Sequence, residues 1–311
     1  MGPLLASGIV LAMSFSASAA DFSNAELVPR VESLFASNRD LAEIKLTIDR
    51  MVEPSVDVAA NLKIIDGMVD DIERMRVAEG ATSDFDKLAV LRRYIYEAGP
   101  WNGGKVFSYD LDDPLGTRPE NRLLSDYLAD RRGNCVSMPV LYMILGNRMG
   151  LKMTLAEAPR HSLVKFTDSE GLEWNLEATS GGGFSRESHY RKETPNMTEA
   201  AVRNGVYLRG LPRDETITFM VSGMLVANLI DIERLEDALA VSAHLLAHAP
   251  KSVHLKLTRA SVLSLLLKRD IIGHYENTNE RTPEIRAYAE DLYRQKIAAF
   301  AEAEALGWRK D

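Results

Sequence analysis

The chain has 311 residues, 46% of them hydrophobic, enough to bury one large core or two ordinary ones and unlike a disordered segment. Its formal net charge of −8, with no Lys/Arg run longer than a pair, excludes a general nucleic-acid binder, which needs a basic face to neutralise phosphate. A single cysteine excludes an internal disulfide, so Cys135 serves packing or reactivity.

Residues 3–20 are uncharged and apolar and end in Ala17-Ser18-Ala19, the A-x-A spacing of a signal-peptidase site. This predicts a signal peptide over 1–20 and an exported, periplasmic or secreted product. No Lys or Arg precedes the apolar stretch, which leaves open an upstream start or an uncleaved anchor. Nothing later is apolar for long enough to span a bilayer, so no stable membrane insertion is expected after leader removal.

Apolar spacing of three and four predicts helices over 25–37, 39–52 and 55–78, punctuated by Pro54 and Gly80, in an N-terminal helical region of residues 21–82. Ser83, followed by Asp84 and Asp86, opens a capped helix that runs to Ala98. Gly99–Glu120 reads as a long loop or small irregular hairpin. Helix resumes at Asn121–Asp130, stops at Arg131-Arg132-Gly133, and resumes from Cys135 to Met149, apolar on most faces, with Gly150 as C-cap. Short β-like runs follow at 152–157, 162–166 and 173–178, with alternation too loose to fix a register. A buried helix followed by antiparallel strands predicts an α+β domain over 83–197.

From 198 to 311 the chain is helical again. Leu235–His248 closes at Pro250 and Ser252–Leu267 follows at once, with Ala238, Leu239, Ala243 and Leu246 giving the small-and-large pattern of tetratricopeptide-type stacking. The Trp, Gly and Tyr signature of that repeat is largely missing, and 270–282 interrupts the period before a last helix at 283–305.

The chemistry concentrates at Arg131-Arg132-Gly133-Asn134-Cys135-Val136-Ser137, where a tight turn delivers the only thiol to the first turn of a buried helix. There the helix dipole and unpaired backbone N–H groups favour the thiolate, and the same N–H groups would stabilise an oxyanion. A thiolate nucleophile needs a base, and the base an orienter. Pro159-Arg160-His161-Ser162 starts a strand with a His, and Trp174-Asn175-Leu176-Glu177-Ala178-Thr179 puts an acid on the neighbouring strand, across a turn at Asp168–Gly171. Hairpin neighbours lie about 5 Å apart, within reach of a carboxylate–imidazole hydrogen bond. Asn175 shares the face of Glu177, so position alone does not choose between them. Asn134 reads as a residue supplying a left-handed turn before the helix, and Asn121 as a second supporting candidate for the turn or oxyanion.

The Gly-Asn-Cys turn into an apolar helix, the strand-borne His161 and the Leu176-Glu177-Ala178-Thr179 segment resemble the transglutaminase-like superfamily, most closely a bacterial SirB1-type branch in which such a domain precedes tetratricopeptide-like helices. The likeness covers about 84–185, and the tail at fold level only. It implies a papain-like cysteine-enzyme core with catalytic Cys135, His161 and an acid in third place, commonly Asp, where this chain has Glu177. Some relatives lack the Cys; this chain keeps both Cys135 and His161.

The reaction expected is acyl transfer or hydrolysis at a peptide or side-chain amide, without a cofactor. The alternative is a non-catalytic module that binds an extended peptide and recruits a protein partner through its C-terminal helices. His189 is a weaker candidate base, and Ser180–Gly183 lacks the pattern of a phosphate loop. His244 and His248 lie four apart on one helix face, but no third ligand is evident near them in sequence, and no metal site is assigned. No EF-hand calcium loop is present in the sequence.

Overall fold

The computed structural model describes residues 24–36, 38–114, 116–193, 197–275 and 281–310. The expected signal peptide at 1–20 lies outside them. Among the described residues no helix is long and apolar enough to cross a membrane.

The N-terminal region forms α1 (Asn24–Phe35), α2 (Leu41–Val52) and α3 (Val58–Ala78). Asp40 and Asp57 cap the second and third, each accepting from a first-turn amide. Helix α4 (Asp84–Tyr96) starts with a capping box between Ser83 and Asp86. The next segment is mostly irregular, but its β1 (Ser108–Tyr109) pairs in parallel with β2 (Arg132–Gly133), directly after α5 (Leu124–Asp130). These two-residue strands clamp the middle of the irregular segment to the stretch that carries the thiol.

Helix α6 (Ser137–Arg148) is the central element, with every residue from Ser137 to Gly146 buried. An antiparallel sheet in the order β3-β4-β5-β6 lies against it, formed by Lys152–Ala158, His161–Thr167, Glu173–Glu177 and Gly183–Ser185. One face, with Met153, Leu155, Val164, Phe166 and Leu176, joins the main core. The other, with Ala156, Ala158 and Leu163, packs on Tyr190 and on Val206, Tyr207 and Leu208 in a second cluster. Burial of both faces explains why the strands alternate so loosely in sequence. The free edge of β3 is covered by the segment after it: Leu208 and Leu211 donate their amides to Glu157 and Leu155 carbonyls at 2.9 and 2.7 Å.

The short helices α7 (Glu187–Glu193) and α8 (Glu199–Arg203) lead to α9 (Arg213–Val221), which continues through a π-turn at Ser222–Val226 into α10 (Ala227–Asp231). Helices α11 (Leu235–His248), α12 (Val253–Leu266) and α13 (Pro283–Ala305) complete the described chain, α12 packing on both of its neighbours. The N-terminal helices pack on this tail, α1 against α11 and α2 against α9, and one core cluster runs from Leu27 to Leu292. The mixed, mainly helical architecture with a small sheet is α+β.

A buried ion pair fastens α2 to the central block. Lys45 Nζ binds Asp49 Oδ1 and also donates to the Arg122 carbonyl at 3.2 Å, while Asp49 Oδ2 accepts from the Leu124 amide at 2.8 Å. Burial pushes the Asp49 carboxyl up, against the pull of Lys45 and of the Leu124 and Ser125 amides.

Candidate active site

The thiol is placed by a chain of caps. Arg131, at φ 63°, ends α5 in the left-handed region, and Gly133 passes so close to Tyr127 that a Cβ there would lie 2.6 Å from its ring. Asn134 is fully buried and is the functional N-cap of α6: its Oδ1 accepts from Val136 N at 2.8 Å and Ser137 N at 3.3 Å, and its carbonyl from Met138 N at 3.1 Å. It therefore does not supply the left-handed turn expected from sequence; Arg131 does, three residues earlier. A capping side chain needs extended rather than left-handed backbone. Of the first-turn amides, only that of Cys135 has no acceptor among the described residues.

Asn121 stands behind Asn134. Its carbonyl accepts from Asn134 Nδ2 at 2.9 Å, and its own Nδ2 donates to Asp110 Oδ2 at 3.1 Å and Asp113 Oδ2 at 2.8 Å. Arg132 and Arg118 complete this polar cluster through ion pairs to Asp110. Although burial opposes its charge, Asp113 is held well below the usual carboxylate range by donors from Thr117, Arg118 and Asn121.

Strand β4 begins at His161, after the two-residue turn Pro159-Arg160, in which Arg160 takes φ 57°. Val164 pairs with Leu176, so the extended register places His161 diagonally across from Glu177. His161 Nε2–H donates to Glu177 Oε2 at 2.8 Å, and the imidazole shares a side-chain hydrogen bond with Cys135. With Nε2 on the carboxylate, Nδ1 is the nitrogen left for the thiol. Desolvation disfavours the imidazolium, but the hydrogen bonds to Cys135 and Glu177, and their charge, raise His161 from 6.5 to about 9. Burial works against the Glu177 charge too, yet its bonds to His161 and Thr179 bring its carboxyl below the usual value.

Several groups around this arrangement were not found in the sequence. Tyr190 donates its phenol to Glu177 Oε2 at 3.0 Å, and the Thr179 amide donates to Oε1 at 3.1 Å, so both carboxylate oxygens are engaged. Ser162 Oγ donates to the Cys135 carbonyl, tying the Cys135 backbone to the strand that carries His161. The Tyr109 phenol is pushed up by burial and then by the charges of Cys135 and Glu177, which puts it in the same electrostatic neighbourhood. The only sequence signal was that Tyr190 follows His189; His189 itself is exposed.

Asn175 shares the Glu177 face but does not hold the imidazole; its Oδ1 is buried with no hydrogen-bond partner among the described residues. His244 and His248 lie away from this centre on α11. Their third neighbour, not evident in sequence, is Glu32 of α1.

Beside Cys135 and His161 lies a recess of about 400 Å³. One wall is the β3–β4 turn; the other is Phe219, Ser222 and Gly223 at the π-turn, with Val253 and Trp308. The helix widens where it lines the recess, a common position for π-turns.

No curated protein matches the chain. A family model described as the Transglutaminase-like superfamily matches residues 60–218, which include the thiol, the imidazole, the carboxylate and the helix and sheet that hold them. With that match covering more than half of its length, the chain belongs to the transglutaminase-like superfamily.

Proposed function

We propose that the protein is a cysteine-dependent enzyme that transfers or hydrolyses the acyl group of a peptide or side-chain amide. Cys135 attacks the carbonyl as a thiolate paired with the His161 imidazolium, His161 gives its Nδ1 proton to the leaving amine, and Glu177 orients His161. The Cys135 amide, left free while Asn134 caps its neighbours, donates to the oxyanion. Water or an amine then resolves the thioester. The observation that carries the reading is the 2.8 Å His161–Glu177 bond on an imidazole that also interacts with the Cys135 side chain.

The recess supports a substrate whose amide is flanked by an apolar group, since Val136, Phe219, Val253, Leu257 and Trp308 line it. Beyond the family itself, we assign the chain to the SirB1-like branch, with a papain-like core and a tetratricopeptide-like tail, and infer export to the periplasm or medium. The support is the apolar leader and the helices that follow the domain.

The test is the rate of iodoacetamide labelling of Cys135 against pH, in the unaltered protein and in His161→Ala. Fast labelling well below the ordinary thiol pKa of about 8.5, slowed by the substitution, is expected. Slow labelling that follows an ordinary thiol titration in both proteins would overturn the enzyme reading and favour a peptide-binding module.

A further inference from the structure

We propose that Glu32, His244 and His248 form a binding site for a transition-metal dication, Zn2+ foremost. Helix α11 places the two histidines one turn apart on one face, and α1, packed alongside, brings a carboxylate to both from more than two hundred residues away. His244 Nε2 and His248 Nε2 lie 2.8 and 3.1 Å from the same oxygen, Glu32 Oε2. One ligand atom from each residue lies within 4.8 Å of the other two.

Tetrahedral zinc, with bonds of about 2 Å, sets its ligand atoms about 3.3 Å apart. The two nitrogen–oxygen separations are within about half an ångström of that and the two imidazoles offer nitrogens within 4.8 Å of each other, so side-chain rotations, with each imidazole carrying its remaining proton on Nδ1 and its Nε2 lone pair turned to the ion, convert the hydrogen-bonded cluster into a coordination set. Two imidazoles and a carboxylate suit zinc and its neighbours, and not magnesium or calcium, which take oxygen donors. The His248 ring is held in place by Phe35, stacked at 3.6 Å with an interplanar angle of 11°. The site is accessible to an arriving ion, with side-chain exposures of 24% for His244 and 51% for Glu32. Three protein donors leave a fourth position for water, and the bound ion would fasten the N-terminal helix to the tail.

The experiment is titration of the full chain with Zn2+ alone, in a Cys135→Ser background so that the thiol does not compete, followed by isothermal calorimetry and by metal analysis after desalting. One equivalent is expected to bind with micromolar affinity or better and to raise the melting temperature. Co2+ in its place is expected to give visible d–d bands. Loss of a direct ligand should exceed the roughly 10–100-fold effect of losing an outer partner, so His244→Ala and His248→Ala are each expected to weaken binding about 100-fold or more. Glu32→Gln keeps a hydrogen-bonding side chain against both rings and therefore the fold, but should also weaken binding at least about tenfold. Melting in EDTA establishes that each variant is folded; should His248→Ala fail, Glu32→Gln and His244→Gln decide. Absence of saturable uptake, or uptake unchanged in the folded variants, would overturn the site and leave the three residues as a hydrogen-bonded clamp.

Discussion

Glu177→Gln tests the electrostatics of the site independently of any substrate. His161 holds its proton up to about 9 against an ordinary 6.5, and its side chain is only 25% exposed, so screening by water is limited. That difference corresponds to roughly 3 kcal/mol shared between the carboxylate and the thiol, of which the substitution should remove about 1–2 kcal/mol. His161 binds its proton more tightly folded than unfolded, so its contribution is complete below 6.5 and fades as pH rises through about 9. The depressed Glu177 carboxyl contributes above 4.5 and loses its effect as pH falls through its folded value. The stability gap between the unaltered protein and Glu177→Gln should therefore be widest between about pH 4.5 and 6.5 and narrow toward pH 9. Urea denaturation near pH 5.5, 7.5 and 9 measures it; a gap that is flat across that range, or that grows with pH, would refute the ion-pair reasoning.

Asp49→Ala strands the Lys45 ammonium in the core and uncaps Leu124, and is expected to cost about 3–5 kcal/mol by denaturant unfolding, whereas Lys45→Met with Asp49→Leu removes both charges, leaves only the Leu124 amide and Arg122 carbonyl without those partners, and should cost less, about 1–3 kcal/mol. Asn134→Ala removes the cap on Val136 and Ser137 and should cost about 1–2 kcal/mol while slowing Cys135 labelling; unchanged labelling would separate the cap from the thiol's reactivity. Gly67, exposed inside α3 with nothing within 4 Å of a built Cβ, should accept Ala with a gain of about 0.5–1 kcal/mol, read as a higher melting temperature.

The central block was legible in sequence because its signals are local. The run from Ser137 to Gly146 is apolar on most faces, and the strand ends fall at Pro159 and at the Asp168–Gly171 turn. His161 and Glu177 could be put on neighbouring strands for the same reason, although the register makes them diagonal rather than opposite. Asn134 reads in sequence as a left-handed residue although it caps the helix, because capping and left-handed residues share a composition and only backbone angles separate them. Pairing of β1 with β2, two residues each, leaves no periodicity to read. Tyr190, Ser162 and Glu32 meet their partners only through tertiary packing, which no spacing along the chain encodes.

The recess also orders events in time. Its thiol and imidazole come from residues 135 and 161, but its far wall is supplied by Phe219, Gly223, Val253 and Trp308. A growing chain thus acquires the Cys135 thiol and the His161 imidazole long before it acquires the far wall of the recess beside them. The late fasteners sit at that same end: Thr198 Oγ1 donates to the Gly307 carbonyl at 2.6 Å and Asn204 Nδ2 to that of Leu306 at 3.1 Å. The closed recess is in this sense a property of the finished molecule, since Val253, Leu257 and Trp308 are the last of its lining residues to be made.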